Sequence, residues 1–240
     1  MPLNISGSIA NSNIIKSLEY RNITLSGLRL YYDMSIPACY NGTGTIIYDI
    51  SANGNNGTLV NSPTFANNAI RLDGSNDYIS LPTTGFAPST HTIDFWIQCH
   101  QYKTAHFFAV DTSDNPELRL SINGSKVVVS WYDDGAYIAT FNSSANINLD
   151  SWYNISFTTQ NNDFRLYING TLDTADTSGT YTGAASGNAG EHTLGTYNRP
   201  GAGYNGYANV SYGVYRFYNR VLSANEILHN YNIQKTRFGL

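Results

Sequence analysis

Charge is scarce in this sequence. Asp, Glu, Lys and Arg make up 12% of its 240 residues, about half the usual share of a soluble domain. With 13 Lys and Arg and a net charge of −4, no basic patch is available to neutralise phosphates, which argues against nucleic-acid binding. No apolar run approaches the roughly 20 residues of a membrane helix, so no membrane insertion is expected. Met1 to Tyr20 lack the basic and then apolar segments of a secretory leader, which predicts synthesis in the cytoplasm without a signal peptide. Cysteine is nearly absent. Cys39 falls in a loop and Cys99 ends an apolar strand, and two free thiols are favoured over a disulfide. Cys99-His100 with His106 matches no structural zinc spacing.

Hydroxyls, amides and aromatic rings take the place of charge, with 19 Tyr and 21 Gly. Short alternating runs are separated by Asn/Gly/Asp clusters, the residues that tolerate the left-handed backbone of tight turns. Strands are expected at Gly27–Asp33, Thr92–Ile97, Leu118–Ile122, Lys126–Tyr132, Tyr137–Phe141, Trp152–Thr159, Phe164–Ile168, His192–Gly195 and within Tyr207–Tyr218. Asn123-Gly124 is a two-residue hairpin signal between the third and fourth of these. In Thr92–Ile97, Ile93, Phe95 and Ile97 share one face and Trp96 lies on the other. Thr177 to Gly206 reads as long loops around one short strand. Ser223-Ala224-Asn225-Glu226 is a capping box, followed by Ile227, Leu228 and Tyr231 at helical spacing. Residues 1–26 show no such rhythm and are read as an anchoring arm before a domain over 27–240. The pattern predicts an all-β, two-sheet antiparallel sandwich with a short C-terminal helix.

Three segments carry a resemblance. They are GLRLYYD at Gly27–Asp33, DISANGNNGTLV with RLDGSNDYISLP between Asp49 and Pro82, and VYRFYNRVLSANEI near the C-terminus. Together they resemble laminin-G-like, concanavalin A-like lectin/glucanase domains, which implies a jelly roll. Relatives with glucanase activity carry paired carboxylates as E-x-D-x-x-E on one strand. The four glutamates here, Glu19, Glu117, Glu191 and Glu226, open no such motif, so a non-enzyme is expected and a glycoside hydrolase is the lesser alternative.

The resemblance also implies two kinds of site. Calcium would be held at the sandwich rim by Asp49, Asn53, Asp73 and Asp77. The alternative is that these residues bond the amides of their own turns. Where relatives carry an acidic residue before the last strand, this chain has Asn209. Glycans would stack on exposed rings among Trp96, Trp131, Tyr132, Tyr137, Tyr197 and Tyr204, unless those rings serve packing or subunit contacts. The chain also resembles sandwich proteins of tailed bacteriophages and large DNA viruses. That implies a virion structural protein, as capsid decoration or tail-fibre adhesin. Its partners would be other virion proteins, a second copy in a homo-oligomer, and cell-surface glycans. A cellular lectin is the alternative.

Overall fold

A computed structural model describes residues 22–82, 90–111, 117–133, 136–160, 163–177, 191–199 and 203–240. Most of the expected arm and the middle of the long Gly/Ala/Thr segment lie outside these ranges. Two eight-stranded antiparallel sheets face each other, as the period-two pattern predicts. The first sheet contains β1 (Leu28–Asp33), β4 (Thr64–Ala66), β5 (Ala69–Asp73), β7 (Thr90–Cys99), β12 (Trp152–Gln160), β13 (Asp163–Ile168), β14 (Thr171–Asp176) and β18 (Asn209–Tyr218). Its order is β14-β13-β12-β7-β18-β5-β4, with β1 also paired to β18. The second contains β2 (Ile46–Ile47), β3 (Gly57–Val60), β6 (Tyr78–Leu81), β8 (Ala105–Asp111), β9 (Glu117–Asn123), β10 (Lys126–Asp133), β11 (Ala136–Asn142) and β15 (Glu191–Leu194). Its order is β11-β10-β9-β8-β15-β6-β3-β2. A small hairpin of β16 (Tyr197–Arg199) and β17 (Gly203–Asn205) stands apart.

The main core lies between the sheets and includes Leu30, Ile93, Phe95, Ile97, Phe108, Leu120, Val129, Phe157 and Leu166. The Asn123-Gly124 turn joins β9 to β10 with Gly124 at φ 58°, as a two-residue hairpin requires. A second apolar layer lies on the other face of the first sheet. Helix α1 (Ala224–Gln234) and a following 3-10 turn, Lys235–Phe238, cover Tyr31, Trp96 and Val214. The capping box forms as the sequence predicts, with Ser223 Oγ bonded to the Glu226 amide and the Glu226 carboxylate to the Ser223 amide.

Two-sided coverage explains why β7 and β18 are buried along nearly their whole length. It also buries charged side chains beneath the helix, where an unpaired charge would be costly. Asp94 and Arg216, both fully buried, sit opposite each other across β7 and β18 and pair at 2.9 Å. Asn154 Nδ2 donates to the other Asp94 oxygen at 2.7 Å. From the expected arm, Ile23 is buried against this layer and Thr24 donates its amide to Asn230 of the helix.

Candidate functional site

The outer face of the second sheet is where the chain gathers accessible chemistry. In β15, His192 and Leu194 are buried, and Leu194 joins the main core. Period-two geometry therefore puts Glu191 and Thr193 on the opposite face. Thr193 is buried all the same, because the β16–β17 hairpin folds over it. Thr193 Oγ1 donates to the Thr196 carbonyl at 2.6 Å, and Thr196 Oγ1 donates to the Asn205 carbonyl at 2.7 Å. Both roots of the hairpin are glycines with positive φ. A Cβ on Gly195 would lie 2.0 Å from Leu72 Cδ1, and one on Gly206 would lie 2.3 Å from His106 Cδ2. The first contact is with the core between the sheets and the second with the sheet under the hairpin, so only glycine fits at either root.

Under the hairpin, the Tyr197 ring packs edge-on to His106 at 4.6 Å and covers the Arg119 guanidinium at 4.0 Å. Ser121 Oγ lies 2.8 Å from His106 Nδ1. Burial, then the Arg119 charge, pulls the His106 imidazole down to about 4, so it is neutral at physiological pH. The hairpin's other side meets Glu191. Its Oε1 accepts from the Tyr204 hydroxyl at 2.6 Å and its Oε2 from Asn198 Nδ2 at 2.7 Å. The Tyr204 ring is 37% exposed and lies 4.7 Å from the ring of Tyr78. Burial, then the bond to Glu191, pushes the Tyr204 phenol up from its ordinary value and keeps it a donor. The result is a fixed carboxylate beside one exposed tyrosine, Tyr204, with the buried Tyr78 ring behind it. The backbone register also sets Asp111 of β8 opposite Glu191, and Glu117 of β9 opposite Tyr132 of β10.

Of the six rings expected to meet glycans, the structure brings Tyr197 and Tyr204 together on this hairpin. Two others are corrected. Trp96 is 0% exposed, stacked on Phe238 at 4.1 Å and Tyr231 at 5.6 Å, because the helix and the 3-10 turn cover that face. Trp131 is 3% exposed and packs between the sheets against Phe164. Neither can stack on a sugar. Tyr132 and Tyr137 face each other by register in β10 and β11, and their side chains lie outside the described residues. Glu191, Asn198 and Tyr78 were missed. Glu191 opens a four-residue strand whose outward position shows only once the hairpin above it is known.

The residues expected to hold calcium bond groups of the chain itself. Asp49 accepts from the Tyr31 and Ser51 amides on one oxygen, and from Ser51 Oγ and the Asn55 amide on the other. Asn53 donates to the Leu28 carbonyl. Asp73 Oδ1 accepts the Ser75 and Asn76 amides, which hold its carboxyl below the usual range, Ser75 most strongly. Asp77 Oδ2 accepts the Asp73 amide, and burial pushes its carboxyl up. Among the described residues no group of three or more His, Cys, Asp or Glu is arranged to hold a metal ion. Both thiols are free and buried, and burial pushes each up to about 12.

No curated protein matches the chain in sequence. Several solved structures share its fold. Domain 4 of AbnA, a GH43 extracellular arabinanase from Geobacillus stearothermophilus solved with arabinotriose, superposes with a TM-score of 0.64 at 16% identity. That match covers 85% of this chain and 97% of that one. The binding domain of botulinum neurotoxin serotype D gives 0.66 at 14% identity over 88% of this chain, which spans only 52% of that domain. A Trypanosoma rangeli sialidase, bound to 2,3-difluorosialic acid as a covalent intermediate, gives 0.69 at 14% identity over 95% of this chain and 39% of the enzyme. At such identities the likeness concerns the fold alone. A family profile matches residues 73–228, well over half of the sequence, and the chain belongs to the concanavalin A-like lectin/glucanases superfamily.

Proposed function

We propose that this chain is a non-enzymatic glycan-binding module carried on a virion surface, with the β16–β17 hairpin and Glu191 as its contact. The observation that carries the binding reading is the Glu191 carboxylate, held between Asn198 and the exposed Tyr204, whose ring is backed by the buried Tyr78. A pyranose ring laid on Tyr204 would bring its hydroxyls to a carboxylate that is already positioned, so little ordering cost is left to binding. Each contact is weak, and many copies on a particle would raise avidity. Support for the virion setting is the resemblance to phage and viral sandwiches together with the low charge. A cellular lectin would use the same face.

The fold neighbours include a domain solved with arabinotriose and a sialidase, which suits a carbohydrate ligand without naming it. A glycoside hydrolase is the second reading, favoured by one observation: Asp111 stands opposite Glu191 across β8 and β15. Against it, both Glu191 oxygens already accept hydrogen bonds within the chain.

A glycan array separates these readings. Binding that falls at least tenfold in Tyr204→Ala, with an unchanged melting curve, is the expected result. No binding to any glycan would sink the proposal. Release of reducing sugar by the purified protein, lost in Glu191→Gln, would replace it with the hydrolase.

A further inference from the structure

We infer that Lys103 and Arg71 supply, at the sandwich rim, the positive charge that calcium would bring in a relative, so that the rim closes without metal. Calcium is held by six to eight oxygens, carbonyls and carboxylates among them. At this rim two oxygens of those kinds belong to Gly74, in the Asp73–Asp77 turn, and to Asn209, at the start of β18. The two residues abut. Asn209 is in register with Asp73, and a Cβ on Gly74 would lie 2.9 Å from that of Asn209.

Each of these oxygens already faces a side-chain cation. The Gly74 carbonyl accepts from Lys103 Nζ at 2.6 Å. Asn209 Oδ1 accepts from an Arg71 terminal nitrogen at 3.3 Å. The nearby carboxylates are turned toward amides of their own turn, with Asp73 bonded to Ser75 and Asn76 and Asp77 bonded to Asp73. A divalent ion entering here would have to displace an ammonium from Gly74 while remaining close to a guanidinium. Like charges at that range repel strongly wherever water is partly excluded. An ammonium on a turn carbonyl also makes a charge-assisted hydrogen bond, stronger than a neutral one. It ties the β7–β8 connection, which carries Lys103, to the β5–β6 turn.

This inference stands apart from the glycan reading, because it concerns the rim and is read by stability. The test is thermal melting of the purified protein and two variants, each in chelator and in excess calcium chloride. The wild type is expected to give superimposable curves. Lys103→Met keeps the apolar stem and removes the charge, and it should melt about 2–4 °C lower, the shift of roughly 1 kcal/mol in a domain of this size. Lys103→Arg should restore most of that loss. A wild-type melting temperature that rises by several degrees with calcium would overturn the inference, since an ion bound only to the folded state stabilises it by mass action. So would a Lys103→Met protein that melts like the wild type. A calcium response acquired by Lys103→Met alone would support it.

Discussion

His192 lies on the inner face of the second sheet, where burial, with His91 adding repulsion, pulls its imidazole down to about 4. In the unfolded chain a histidine titrates near 6.5. Its contribution to stability is therefore full above about pH 6.5 and is lost as the pH falls toward 4. Glu226 is shifted down by a different cause. Its hydrogen bonds from Arg220, and then from Ser223, hold the carboxyl down to about 2, below the ordinary 4.5. Its contribution is full above about pH 4.5 and is lost toward pH 2. The melting temperature should therefore fall in two stages on acidification, the upper from His192 together with His106, which is held equally low, and the lower from Glu226. His192→Gln should shrink the upper stage, and Glu226→Gln the lower. A melting temperature constant between about pH 7 and 4.5 would show that neither histidine is held neutral by the fold. Glu226 was legible in the sequence because a capping box is a local pattern. His192 was not, because what shifts it comes from the opposite sheet.

The β16–β17 hairpin is the element on which the candidate site depends, and its position rests on Gly195 and Gly206. Gly195 has a φ of 93° and almost no room for a side chain. Gly195→Ala combines a disfavoured backbone conformation with a clash against Leu72, and should destabilise the domain by about 1–3 kcal/mol. Urea unfolding monitored by tryptophan emission would measure this. A midpoint equal to the wild type would mean that the hairpin can rise from the sheet without cost. The sequence showed loops in this region because each hairpin strand has only three residues, too few for alternation to register. The C-terminal 3-10 turn was hidden for a related reason. Phe238 packs on Trp96 and Trp152, and a Cβ on Gly213 of β18 would lie 2.6 Å from its ring. That pairing joins positions that no spacing rule relates.

At the scale of the whole molecule, the two sheets are treated unequally. The first is covered on both faces, by the second sheet and by the helix with its 3-10 turn, and carries the buried Asp94–Arg216 pair. Among the described residues, the second has its inner face buried and its outer face covered where the β16–β17 hairpin folds back. Recognition is therefore proposed on the second sheet, and anchoring on the side where the chain enters beside the helix. Ile23 belongs to the apolar layer there, so an anchoring test must spare it. On the virion reading proposed above, removing residues 1–21 should leave the melting temperature unchanged and abolish association with the particle, scored by co-sedimentation with purified virions. Retention of the shortened protein on particles would remove the anchoring role.

By itself the sequence determined the class of this protein. Period-two strands, Asn/Gly turns and one capping box are local signals, readable because backbone sterics act over a few residues. The tertiary structure decided which aromatic rings face water. Trp96 and Tyr204 look equally available in the sequence, yet one is roofed by a helix more than 120 residues away and the other is lifted into solvent by a glycine-rooted hairpin. It also decided that the rim aspartates serve turn amides and that Glu191 meets Tyr204 and Asn198. Burial and register depend on what the rest of the chain places nearby, and no window of neighbouring residues contains that information.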